Sequence, residues 1–171
     1  MRKAEFLQGK WWNVVFLLTA LLIVAADQFS KVWIRAYPEE QLIFEAGFFR
    51  IIQVRNTGAA FGLFQGQTFA LTIVALVSIT VILLYALFIY RRFPLLDNRL
   101  GRLALGLILG GAIGNLIDRL RLGYVTDFID VGVWPSFNIA DSALTIGVII
   151  ILAYLLLPLA RAGKRRDGQS I

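Results

Sequence analysis

Two aspartates carry the chemistry for which this sequence is best equipped: Asp127 in the run VTDFIDV and Asp141 in FNIADS. Two carboxylates brought within a few ångströms cannot both ionise easily, so they share a proton. One member can then activate water while the other protonates or polarises a scissile amide. What the chain lacks sharpens this reading. It has no histidine and no cysteine, which excludes Ser-His-Asp and Cys-His catalysis, Cys-ligated zinc and the H-E-x-x-H peptidase arrangement. Acid–base work at neutral pH is left to carboxylates, Lys, Tyr or water. Plainer roles exist for both residues. If Asn138 is an N-cap, Asp141 falls in a first helical turn, where a carboxylate is favoured by free N–H groups and the helix dipole. Asp127 reads equally as an exposed loop acid, and Asp130 reads as one outright. Whether Asp127 and Asp141 meet is a matter for the tertiary structure.

Other polar residues stand where apolar ones would be expected. Asp27 and Lys31, in DQFSK, are four apart and share a helical face, so they can pair. They serve either as a neutralised ion pair that ends a helix or as the polar wall of a site. The run GGAIGNLIDR spaces Gly110 and Gly114 for close helix packing and then sets Asn115, Asp118 and Arg119 on one helix end. There Arg119 can hold a carboxylate or a substrate carbonyl, and Asp118 balances charge.

The elements that must position these groups belong in lipid. Of the 171 residues, 58% are hydrophobic, and the mean hydropathy is +0.74, both beyond what a water-soluble core needs. A bilayer core needs roughly 20 apolar residues as helix. Four stretches supply them, at about 11–34, 69–90, 100–120 and 141–160. The expected fold is an all-α membrane protein of one domain over 1–171, four transmembrane helices with a small β-rich cap on the outer face. The first span also has the layout of a signal peptide, with Arg2, Lys3 and Lys10 ahead of an apolar run and Val24-Ala25-Ala26 resembling a cleavage site. With Met1 still in place, the expectation is a retained span.

Most of the 17 Lys and Arg residues fall in three places: Arg2, Lys3 and Lys10; Arg91, Arg92, Arg99 and Arg102; and Arg161, Lys164, Arg165 and Arg166. Only Glu5, Asp97 and Asp167 stand against them. The positive-inside rule then makes both termini cytoplasmic and turns residues 35–68 and 121–140 outward. The net charge of +6 is that of membrane flanks, with no basic stripe interleaved with aromatics, so nucleic acid is not an expected partner. The outer segment 44–64 is rich in Phe, Ile and Val and turns at Asn56-Thr57-Gly58, which predicts a small β-structure. Tyr124 to Val133 also reads as extended, Pro38-Glu39-Glu40 as the start of a short interfacial helix, and Gly163 to Ile171 as a frayed polar tail.

Five blocks, taken together and in order, closely resemble the lipoprotein signal peptidase family: DQFSK at 27–31, VRNTGAAF at 54–61, GGAIGNLIDR at 110–119, VTDFIDV at 125–131 and FNIADS at 137–142. They reach from the first span to the fourth. The resemblance implies a bacterial cytoplasmic-membrane aspartyl endopeptidase, its site near the outer face, that removes signal peptides from prolipoproteins just before a diacylglyceryl-modified cysteine. Carried over by position, Asp127 and Asp141 match its catalytic pair. Asp27, Lys31, Asn56, Asn115, Arg119 and Asn138 match polar positions that bind substrate or support the site, and Gly58-Ala59-Ala60-Phe61 would belong to a mobile outer flap. The expected partners are lipidated prolipoproteins and membrane lipid, the expected state is a monomer, and no metal or cofactor is expected. Two rivals from other classes are a proton-coupled transporter and a non-catalytic assembly subunit. The first would want an acid deep within a span and often an inverted repeat. The second would rest on the glycine face alone.

Overall fold

Residues Thr68–Leu87 contain no charged side chain and form one helix of 20 residues, which at about 1.5 Å per residue is the thickness of a bilayer core. Three further helices in the computed structural model meet the same requirement. It describes residues 2–58, 65–92 and 94–167, so Ala59-Ala60-Phe61 of the expected flap lie outside the described residues. In chain order the elements are α1 (Arg2–Ile34), β1 (Leu42–Ala46), β2 (Phe49–Asn56), α2 (Thr68–Leu87), α3 (Arg99–Leu122), β3 (Val125–Asp130) and α4 (Ile139–Asp167). Four helices with a small antiparallel sheet is the expected fold class. Their apolar side chains point outward in quantity, Leu17, Leu21, Phe69 and Ile149 among them, as lipid-facing surface does.

The third helix is the hub of the bundle. Two-thirds of its span is buried, against 17% or less in the other three. Small residues on α3 allow this closeness. A Cβ on Gly106 would sit 2.7 Å from the Phe16 carbonyl oxygen, and one on Gly110 would sit 2.8 Å from that of Ala20. Only glycine permits α1 to lie so near. Around this seam Phe16, Ala20, Ile82, Ala86, Leu105 and Leu109 form the apolar core.

The sheet has the order β1-β2-β3, both pairs antiparallel. β1 and β2 are joined by the two-residue turn Gly47-Phe48, with Gly47 at φ +63°, a conformation in which glycine meets no steric penalty. β2 carries an irregularity between Ile51 and Val54: Ile51 faces Ile129, yet Val54 faces Asp127. Two residues of β2, Ile52 and Gln53, thus oppose the single Phe128 of β3, and every later side chain of β2 changes face relative to β3.

Several local expectations need correction. Pro38-Glu39-Glu40 is a turn rather than a helix: the Gln41 N–H donates to the Pro38 carbonyl at 3.2 Å, and Glu40, at φ +61°, donates its N–H to the Gln53 carbonyl at 2.8 Å. The tail is helical as far as Asp167, because α4 continues well past the expected end near residue 160. The second helix stops at Leu87, short of residue 90, and gives way to a 3-10 turn at Ile89–Arg91. Arg102, grouped above with flanking basic residues, is fully buried within α3, where it bonds Asp97 at 2.9 Å and the Ala86 carbonyl at 3.0 Å.

The glycine seam makes a direct prediction. Gly110→Ala forces a methyl group against rigid backbone, and overpacking of this kind costs about 1 to 3 kcal/mol. Thermal unfolding in detergent should show a clear loss of stability, and an unchanged midpoint would mean that the α1–α3 approach is looser than described.

Candidate active site

The site begins with a charge that cannot stay alone. Lys31 on α1 is fully buried, and an ammonium group out of water must be neutralised and have its three protons accepted. Three acceptors meet it. Its Nζ lies 2.9 Å from Asp27 Oδ2 one turn earlier, 3.3 Å from Asp118 Oδ2 on α3, and donates to Asn115 Oδ1 at 2.9 Å. The i, i+4 pairing read from DQFSK is present.

Each of those acceptors reaches onward. Asp27 Oδ1 accepts the Ala140 backbone N–H at 3.0 Å, so a carboxylate of the first span satisfies an amide in the opening turn of α4. Asp118 Oδ2 accepts the Thr126 backbone N–H at 3.0 Å, and its Oδ1 lies 3.3 Å from Arg35 Nη1. Asp118 therefore does more than balance charge, since it ties α1 and β3 to α3. Asn115, whose oxygen serves Lys31, donates its amide to Asp141 Oδ1 at 2.7 Å.

Asn138 is the point where the two aspartates are brought together. Its Oδ1 accepts the Asp141 N–H at 2.8 Å, and its own N–H donates to Asp141 Oδ2 at 3.3 Å, the reciprocal arrangement of a capping box. The same side chain donates through Nδ2 to Asp127 Oδ1 at 2.7 Å and to Asn115 Oδ1 at 3.1 Å. The helix cap thus holds both carboxylates by one residue. Asp127 Oδ2 accepts from Asn56 Nδ2 at 2.8 Å, and the Asn56 oxygen accepts the Gly58 N–H at 2.9 Å, closing the turn expected there. Asp127 is 1% exposed, whereas Asp141 is partly open. Burial first, and then the charge of Asp141, raise the Asp127 carboxyl to about 7, against the lowering effect of its Asn56, Lys31 and Asn138 neighbours.

All eight positions singled out in the sequence lie in or beside this cluster, with one difference in partnership. Arg119 is within electrostatic range of Asp141, Asp127 and Asp118, yet its side chain makes no ion pair or hydrogen bond among the described residues. Asp130 is not the solitary loop acid expected. It ends β3, pairs with Arg50 at 2.9 Å, and that hydrogen bond holds its carboxyl below the usual range. Three positions along a strand from Asp127, it points to the other face. Sequence reasoning missed Gln28 and Arg35. Gln28 Nε2 reaches Asp27 Oδ2, the Gly114 carbonyl and Asp118 Oδ1 at 3.1 to 3.3 Å. Arg35 also donates to Thr126 Oγ1 at 3.0 Å. The signal for Arg35 was available, because Asp27, Lys31 and Arg35 recur every four residues along one face.

Comparison with known proteins places this geometry. Residues 19–157 match signal peptidase (SPase) II. The chain belongs to the signal peptidase II family. It is similar to the lipoprotein signal peptidase of Dehalococcoides mccartyi, with 51% identity over 145 residues, 84% of this chain and 90% of that protein. It is also similar to the lipoprotein signal peptidase of Moorella thermoacetica, with 50% identity over 151 residues, 87% of this chain and 97% of that protein. Two solved bacterial membrane enzymes, determined by the in meso method at 2.3 and 1.9 Å, share its fold. The first has a TM-score of 0.75 and 32% identity over 85% of this chain and 90% of the other. The second has a TM-score of 0.70 and 33% identity over 82% and 92%. The chain is thus a bacterial multi-pass membrane peptidase, a hydrolase of lipoprotein processing.

Lys31→Met is the sharpest test of the cluster. It leaves Asp27 and Asp118 buried without their common cation, and breaking a buried pair in this way costs about 3 to 5 kcal/mol. Thermal unfolding should move far down while any folded fraction retains some turnover. Complete inactivity of a well-folded Lys31→Met protein would instead give the lysine a part in the chemistry.

Proposed function

We propose that this chain is a membrane-embedded aspartyl endopeptidase that cleaves the signal peptide from diacylglyceryl-modified prolipoproteins just before the lipidated cysteine, with Asp127 and Asp141 as its catalytic pair. The observation that carries the reading is the Asn138 bridge, which bonds one carboxylate at 2.7 Å and caps the helix that bears the other. Asp141 sits at a helix start, where an anion is favoured, and is the more open of the two. It serves as the base. Asp127, buried and with its carboxyl raised to about 7, carries the shared proton.

In the first step Asp141 takes a proton from water as the oxygen attacks the scissile carbonyl carbon, and Asp127 gives its proton to the carbonyl oxygen. The tetrahedral intermediate then collapses. The C–N bond breaks, the amine leaves with the proton held by Asp141, and Asp127 recovers its proton from the hydroxyl as the carboxylic acid forms. Arg119, which has no carboxylate partner among the described residues, is free to meet a substrate carbonyl. Asp27, Lys31, Asn56, Asn115 and Asn138 support the pair. Two acids and a water suffice for this chemistry.

The distribution of charge supports the orientation. The acidic cluster gathers at the C-terminal ends of α1 and α3 and the start of α4, the end that also bears the sheet, while Arg91, Arg92 and Arg99 lie at the other end. Both termini then face the cytoplasm and the site lies near the outer face of the bacterial cytoplasmic membrane. A signal peptide is itself a spanning helix, so its cut site reaches that level without leaving the bilayer. The protein acts as a monomer.

Asp127→Asn and Asp141→Asn should each lower cleavage of a lipidated prolipoprotein by about 10² to 10⁴-fold or more while the protein still inserts and binds substrate. Asp130→Asn, which removes the pair with the half-exposed Arg50 and touches neither Asp127 nor Asp141, should retain activity. Near-normal turnover in either Asn variant, or loss in Asp130→Asn, would end the assignment. The pH profile provides a second check. Asp127 keeps its proton below about 7, so activity should fall as pH rises through that value and both carboxylates become anionic. The measured limb belongs to the pair rather than to one residue.

A further inference from the structure

At the end of the bundle remote from the carboxylates, α1 and α3 enclose a groove of about 700 Å³ lined by Trp11, Trp12, Val15, Arg99, Leu100 and Leu103. Its one charge is distinctive. The Arg99 guanidinium stands 5.3 Å from the centre of the Trp12 ring, within cation–π range. The nearest acid in sequence, Asp97, is engaged by Arg102 through two hydrogen bonds at 2.9 and 3.1 Å. Among the described side chains Arg99 has no ion-pair partner. The surrounding surface faces lipid, with Trp11, Val14 and Leu18 at 67%, 50% and 51% exposure.

We propose that this groove binds one anionic phospholipid, its phosphodiester paired with Arg99 and an acyl chain lying along Val15, Leu100 and Leu103. A guanidinium offers parallel N–H donors that match phosphate oxygens, and the Trp12 ring holds it at the mouth of the groove. Indoles sit at the level of lipid headgroups. Arg99 brings a positive charge that no described acid pairs with, so an anionic headgroup, which carries no cation of its own, fits better than a zwitterionic one. The apolar floor suits an acyl chain rather than a soluble anion or a polar partner protein. Nothing in this assignment depends on the catalytic reading.

The test uses the full chain carrying Trp33→Phe and Trp134→Phe, so that emission comes from Trp11 and Trp12. It is reconstituted in bilayers holding equal fractions of phosphatidylglycerol or phosphatidylcholine with identically brominated chains. Brominated phosphatidylglycerol should be preferred at the groove by about fivefold, as expected for one well-placed basic residue. Arg99→Gln should bring that preference down to the level of phosphatidylcholine, while Arg92→Gln, the same loss of charge on the same connection, should keep it. Leu103→Phe, which narrows the groove and leaves the charge, should lower it as well. Equal quenching by the two lipids overturns the proposal, as does an equal loss in Arg92→Gln and Arg99→Gln, which would mean diffuse attraction only. If Arg99→Gln does not insert, an undiminished preference in Leu103→Phe overturns it instead.

Discussion

The buried ammonium of Lys31 is the constraint around which the rest is arranged. A charge taken out of water is tolerated only with excellent partners, and here those partners come from α1 itself and from α3. Supplying them fixes where α3 must lie against α1, both along the axis and in rotation. Glycine makes the approach possible. A Cβ on Gly114 would fall 2.6 Å from Asp27 Oδ2, so the ion pair occupies the space that a side chain at that position would have filled. Packing and charge neutralisation are therefore one requirement, met by the same turn of helix.

From this centre the order passes to the two carboxylates by way of amides. Asn115 joins the lysine to Asp141, and Asn138 joins Asp141 to Asp127. An amide suits this role because it both donates and accepts without carrying charge, so it can orient an acid without fixing its protonation state. A lysine or arginine in place of Asn138 would hold Asp127 as an anion. The environment instead leaves its carboxyl raised to about 7 by burial and by its companion. The strand that bears Asp127 is held independently, by pairing with β2 and by the Thr126 N–H to Asp118. The acid therefore sits on two supports that converge from different elements.

The two ends of the bundle solve the problem of charge in lipid differently. At the carboxylate end, acids and bases from several elements form one continuous network. At the other end Arg102 is buried with a single acid, a backbone carbonyl and the ring of Tyr90 at 4.5 Å. That arrangement is closed and satisfied, as a structural charge should be. The contrast separates a network built around a partly open carboxylate from one that only ends a helix neatly.

Much of this was legible in the chain. Apolar run lengths gave the four helices, because a bilayer imposes a length and a composition on any segment that crosses it. Helical periodicity gave the Asp27 and Lys31 pair, and the Asn138 cap with Asp141 in its first turn, since contacts within one or two turns depend only on local geometry. The absence of histidine directed attention to carboxylates. What the tertiary structure alone decided was which distant groups meet. That Asp118 is a partner of Lys31 rather than a spare charge depends on the rotation of α3 against α1. The fate of Pro38-Glu39-Glu40 depends on a hydrogen bond to β2, which overrode a local reading as helix. The clearest case is Asn56. In an unbroken ladder Arg55 would share the face of Asp127, and its guanidinium would favour the anion. The extra residue of β2 between Ile51 and Val54 shifts the register and brings an uncharged amide to the carboxylate instead. A one-residue slip exchanges the two faces of a strand, and no local pattern in the sequence announces it, because the bulge is set by pairing between strands more than seventy residues apart.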